Sequence, residues 1–108
     1  MDLTRPVEAL IPGAQGRVLE ALARTTGELT LRALSEVAHV SPPQASRVLR
    51  RLVGLGVVER RDVPPAALFR LAPENLAARL VSELAGLREA FLEELRQAAR
   101  AYGPRRPT

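Results

Sequence analysis

The stretch HVSPPQASRVLRRL, residues 39–52, holds side chains suited to reading a nucleic acid. Gln44 carries an amide whose oxygen and nitrogen match the N6 and N7 edge of adenine, and Arg47 and Arg50 carry forks that match guanine O6 and N7. Ser41 and Ser46 add hydroxyls that can reach a phosphate or a base edge. Arg51 lies about 100° around a helix from Arg50, a position suited to a salt bridge or a backbone contact. Pro42 and Pro43 precede the set, and each removes a backbone donor. Other chemistry is poorly provided for. With no cysteine and one histidine, His39, the chain has no thiolate site and no histidine cluster. Asp2 and Asp62 are its only aspartates. No catalytic acid, base, nucleophile or metal set can be assembled, so no enzyme, cofactor or metal is expected.

These side chains need a helix that is fixed in place, and the flanking pattern supplies one. Ser41 is an N-cap residue, and Pro42 occupies the first turn, where a missing N–H costs nothing. Ala45, Val48, Leu49, Leu52 and Val53 recur at helical spacing as an inward stripe, and Gly54 and Gly56 end the helix. The recognition helix is therefore expected over 41–54. Upstream, Val18, Leu19, Leu22 and Ala23 predict a helix over 13–26, with Gly27 beyond its end. Residues 28–31, ELTL, are long enough only to bridge to a hairpin. Thr30 can cap a helix over 31–38 that buries Leu34, Val37 and Ala38, and a turn at 38–40 follows.

Two β-prone runs, 57–61 and 67–71, flank a five-residue loop that contains Pro64 and Pro65, which predicts a hairpin. A long helix is expected over 73–102. Leu76, Leu80, Leu84, Leu87, Phe91, Leu95, Ala98 and Tyr102 hold one stripe along it. The expected division is an N-terminal arm over 1–12, a DNA-binding domain over 13–72, the long helix over 73–102 and a flexible tail over 103–108. The fold class is mainly α with a small β-hairpin wing. Two short helices joined by a tight turn and followed by a hairpin make a winged helix-turn-helix, whose second helix enters the major groove.

Charge supports this placement. The formal net charge is +4, and every basic residue is arginine. The segments 1–40 and 74–102 each carry a net −1, whereas 41–61 carries five arginines and one glutamate. A focused positive patch on a balanced chain suits a polyanionic partner, although a solvated helix face would show the same charge. No apolar run is long enough for a membrane span or a signal-peptide core, so a soluble cytoplasmic protein is expected.

LTLRALSEVAHVSPPQASRVLRRLVGLGVVERR resembles the winged-helix core of MarR-like and ArsR-like bacterial transcription regulators. The common pattern is met by Leu29, Thr30, Leu34, Val37, Val40, Ser41, Ala45, Ser46, Arg47, Leu49, Leu52, Gly56, Val57, Val58 and Arg60, and the likeness spans roughly residues 14–72. LIPGAQGRVLEAL and FRLAPENLAARLV also resemble winged-helix domains found upstream of small nucleotidyltransferases. The paired aspartates of such a transferase are missing, so that likeness carries only the DNA-binding part; the alternative it implies is a transferase partner encoded separately. His39 stands where relatives usually have glycine, a position that calls for positive φ. Its ring is expected to be solvated. A pH switch or a metal ligand would lack a second histidine or cysteine. The wing tip, DVPPA, lacks the Arg or Lys that many regulators carry there, so wing contacts would come from Arg60, Arg61 or Arg70 at its base.

The resemblance implies a sequence-specific regulator of transcription, a repressor, bound to double-stranded DNA. Its candidate DNA contacts are Ser41, Pro43, Gln44, Ser46, Arg47, Arg50, Arg51, Arg60 and Arg61. Residues 76–84 are expected to close the core, which leaves Leu84, Leu87, Phe91, Leu95 and Tyr102 as the interface of a homodimer or, alternatively, folded back on the first helix. A two-fold dimer would set its recognition helices about 34 Å apart, matching an inverted repeat. Leucine-lined space between two long helices would suit a small apolar effector, which no residue of the sequence demands. The competing reading is a protein-interaction module, an adaptor or antitoxin-like partner of a separate protein.

Overall fold

A computed structural model of the chain describes residues 3–102. Its elements run α1 (Pro6–Leu10), α2 (Ala14–Ala23), β1 (Leu29–Thr30), α3 (Leu31–Ala38), α4 (Pro42–Gly54), β2 (Val58–Val63), β3 (Ala66–Leu71) and α5 (Leu76–Tyr102). The expected tail over 103–108 lies outside the described residues. The core is built from Val18 and Leu22 of α2, Leu34 of α3, Leu49 and Leu52 of α4, Val58 and Phe69 of the sheet and Val81 of α5.

Residues 6–10, expected to belong to an arm, instead form α1, whose Val7 is 0% exposed. The helix packs on α2 and α5. Two features hold it there. The Val7 backbone N–H donates to Oε1 of buried Glu20 at 3.2 Å. Gly16 admits the backbone of Ile11 so closely that a Cβ at residue 16 would sit 1.4 Å from the Ile11 carbonyl oxygen. Neither is a local pattern, so periodicity could not reveal this helix.

Thr30 caps α3, with its side chain accepting from the Ala33 N–H at 3.1 Å. Val37, expected inside, is 55% exposed, because Leu34, Ser35 and Ala38 form the buried face of α3. The corner between α3 and α4 is tightly closed. His39 takes a left-handed conformation with φ 56°, and the N–H of Val40 reaches the Ser35 carbonyl at 3.1 Å. The buried Ser35 hydroxyl donates back to the Val40 carbonyl at 2.6 Å. α4 ends the same way, with Val57 N–H to Leu52 O and Gly56 N–H to Val53 O, each 3.0 Å. Both ends are Schellman closures, one using glycine and the other histidine in the left-handed position.

The sheet is antiparallel in the order β1-β3-β2. Its hairpin is tighter than expected. Pairing continues to Val63↔Ala66, so the loop is Pro64–Pro65 and not five residues. Proline can occupy a two-residue turn because no ladder N–H is needed there.

α5 begins at Leu76, after Asn75, whose side chain accepts from the Ala78 N–H at 3.0 Å. The face it lays on the core is Ala78, Val81 and Ala85. Leu76 and Leu80, expected to close the core, are 67% and 54% exposed. Small alanines let the helix approach α1 and α2 closely. The leucine stripe is rotated away by on the order of 100° or more, and beyond Ala85 no residue of α5 is buried.

Candidate nucleic-acid interface

α4 is held from behind by Ala45, Leu49 and Leu52, all buried, so its opposite face is fixed toward solvent. Ser41 accepts from the Gln44 N–H at 3.3 Å, and Gln44 Oε1 accepts from the Ser41 N–H at 3.1 Å. This reciprocal capping box ties off the helix start. It also engages the Gln44 carbonyl, which is the atom that would accept from adenine N6. Any base contact through this oxygen would compete with the cap.

Pro43, Arg47, Arg50 and Arg51 are exposed, and Ser46 is half-buried beside them. Steps of three and four residues place Arg50 and Arg51 on either side of Arg47 as one basic stripe. None of the three arginines has an ion-pair partner among the described residues. α4 itself carries no acidic residue, and that leaves their donors available to an outside acceptor.

The wing arginines differ from these and from each other. Strand alternation sends Arg60 and Arg61 to opposite faces. Arg60 lies across from Phe69, on the face toward α4, and its Nε meets Asp62 Oδ1 at 2.8 Å. Arg61 lies across from Leu68 and makes a forked pair with Glu28, the shortest contact being 2.6 Å. That hydrogen-bonded pairing holds the Glu28 carboxyl below its ordinary range and raises the Arg61 guanidinium above its own. Arg70 is tied to Glu59 at 2.9 Å. Arg60 thus lies on the sheet face toward α4, while Arg61 belongs to an ion-paired network on the other side of the sheet.

A groove of about 480 Å³ separates α4 from the wing. Its lining brings Ser46 and Arg50 together with Arg60 and with Arg32 from the first turn of α3. The distribution of charge along the chain does not mark Arg32, which falls in the segment of net negative charge. Its place as the second residue of the helix capped by Thr30 is the signal that marks it. Among the described residues no group of three His, Cys, Asp or Glu could hold a metal ion. No helix there is long and apolar enough to cross a membrane.

Similar proteins share this architecture. The homodimeric winged helix-turn-helix DNA-binding domain Mb0332 of Mycobacterium bovis superimposes with a TM-score of 0.59 at 29% identity, over 83% of this chain and 81% of that one. NadR, solved in complex with 4-hydroxyphenylacetate, gives 0.64 at 22% identity over 92% and 74% of the two chains. The transcriptional regulator PA3341 gives 0.59 at 24% identity over 95% and 89%. No curated protein matches the sequence. The family model described as MarR family matches residues 11–67, more than half of the chain and the whole of the helix-turn-helix, and the chain therefore belongs to the MarR family.

Proposed function

We propose that this protein is a homodimeric repressor that binds an inverted repeat in double-stranded DNA, with α4 in the major groove. The observation that carries the reading is the stripe of Arg47, Arg50 and Arg51, exposed and without a carboxylate partner among the described residues, on a capped, core-anchored helix. Arg47 and Arg50 take the base-reading role, with Gln44 joining when its cap opens. Arg51 and the Ser41 end of the helix hold backbone phosphate, and Arg60 supports them from the wing. The homodimeric state of the Mycobacterium bovis domain supports a homodimer, and the stripe of α5 that the core leaves exposed at Leu87, Leu95 and Tyr102 is the surface assigned to it.

Selection of bound fragments from random duplex DNA, followed by anisotropy titration, tests the reading. The selected sites should be palindromic, with half-sites about one helical turn apart. With about five phosphate contacts per subunit, log affinity should fall against log salt with a slope near −4.5 per subunit. Arg47→Ala and Arg50→Ala should abolish specific binding while helicity and dimer mass stay unchanged. Wild-type protein that binds no duplex at low salt would sink the reading. Activity that survives loss of the arginines but not a charge placed at Leu87 would favour a protein-interaction module instead.

A further inference from the structure

We propose that Arg32 is a DNA-contacting residue outside both the recognition helix and the wing, holding a backbone phosphate at the rim of the groove that Arg50 and Arg60 also line. The inference rests on the DNA-binding reading and adds to it. The three arginines come from α3, α4 and β2, distant in sequence, yet line the same groove. The half-buried Ser46 hydroxyl stands at the same rim, and Leu31 and Val53 contribute an apolar floor. A phosphate held by Arg32 loses water on its floor side, which strengthens the charge-assisted contact, and Arg50 and Arg60 add to the positive field of the groove.

The present partners of these cations yield readily. Arg32 reaches Glu36 at only 3.6 Å, with both side chains exposed, and such pairs contribute little. Arg50 has no ion-pair partner among the described residues. Arg60 has one, Asp62, which must be displaced for Arg60 to turn to DNA. Asp62 is therefore a negative determinant on this face, lowering affinity for any duplex irrespective of sequence.

Phosphate contacts carry no base information, so Arg32→Ala should weaken specific and random duplexes by the same factor. Its log–log salt slope should become shallower by about 0.9 per subunit, the value of one lost phosphate contact. Arg32→Lys keeps the charge and should restore that slope, because a phosphate accepts a point charge. Asp62→Asn should tighten binding to random duplex. Arg96→Ala, which removes the same charge from the far part of α5, serves as the control and should leave the slope unchanged.

Three results would overturn the inference: an Arg32→Ala slope equal to that of Arg96→Ala, an Arg32→Lys slope no steeper than that of Arg32→Ala, or a loss confined to the specific site. Failure of the wild type to bind any duplex would be a different outcome, removing the DNA reading itself.

Discussion

Glu20 shows how one side chain can serve the fold at an electrostatic cost. It is 4% exposed, and one carboxylate oxygen accepts from the Val7 N–H while the other has no hydrogen-bond partner among the described residues. Burial is the largest influence and pushes its carboxyl above the ordinary 4.5, opposed by the Val7 hydrogen bond and by Arg24. A carboxyl raised in the fold favours the folded state in its protonated form. Its stabilising contribution is therefore complete below the unfolded value of 4.5 and is lost as pH rises through the raised folded value. Glu20→Gln keeps an oxygen for the Val7 N–H and removes the titration. Thermal melts from pH 4 to pH 7 should show the wild type losing stability relative to Glu20→Gln as pH rises. A melting-temperature difference that stays flat or has the opposite sign would refute this assignment. Nothing in the sequence marked Glu20, since an acidic residue within an amphipathic helix ordinarily faces water.

At the scale of elements, the corner from α3 to α4 fixes where the basic stripe points. His39 adopts φ 56° there, a conformation that costs a residue with a Cβ roughly 1 kcal/mol relative to glycine. His39→Gly should accordingly stabilise the protein by about 0.5–1 kcal/mol, and His39→Val should destabilise it by about 1–2 kcal/mol, since β-branched residues tolerate positive φ least. Urea denaturation monitored by circular dichroism measures both. A destabilised glycine variant would mean that the imidazole makes a contact worth more than the strain. The helix-turn-helix was legible in the sequence because its signals are local: Thr30 and Ser41 as caps, Pro42 in the first turn of α4, and Gly56 past its end. α1 was not, because it exists through Glu20 and Gly16, which lie 13 and 5 residues beyond Val7 and Ile11. The wing was legible as a hairpin but not in length, because Pro64 and Pro65 read as a broad loop and form a minimal turn. Arg32 was hidden for a related reason, since a tally of charge along the chain cannot show which helix end a groove will border.

For the whole molecule, the face of α5 matters most. The extents are 63 × 26 × 24 Å, so α5 carries the chain well beyond a compact core. The leucine pattern that suggested core closure at Leu76 and Leu80 is one continuous stripe through Leu84, Leu87, Phe91, Leu95 and Tyr102. Its large residues were the stronger signal, yet the core took the smaller Ala78, Val81 and Ala85. A stripe that the monomer leaves largely uncovered over the length of a 27-residue helix fits pairing with a second copy better than folding back on α2. Phe91→Glu places a charge in the middle of that stripe without touching the buried face. Sedimentation equilibrium should show the wild type as a dimer at micromolar concentration and Phe91→Glu as an 11.7 kDa monomer with unchanged helicity. Its two half-site contacts would then be independent, and affinity for the palindrome should fall by a factor of about 100 or more while binding to a single half-site stays the same. Ala85→Glu, on the buried face, should instead lower the melting temperature. A Phe91→Glu protein that remains dimeric would place the interface elsewhere, and a wild type that is monomeric at these concentrations would leave the stripe without its second copy.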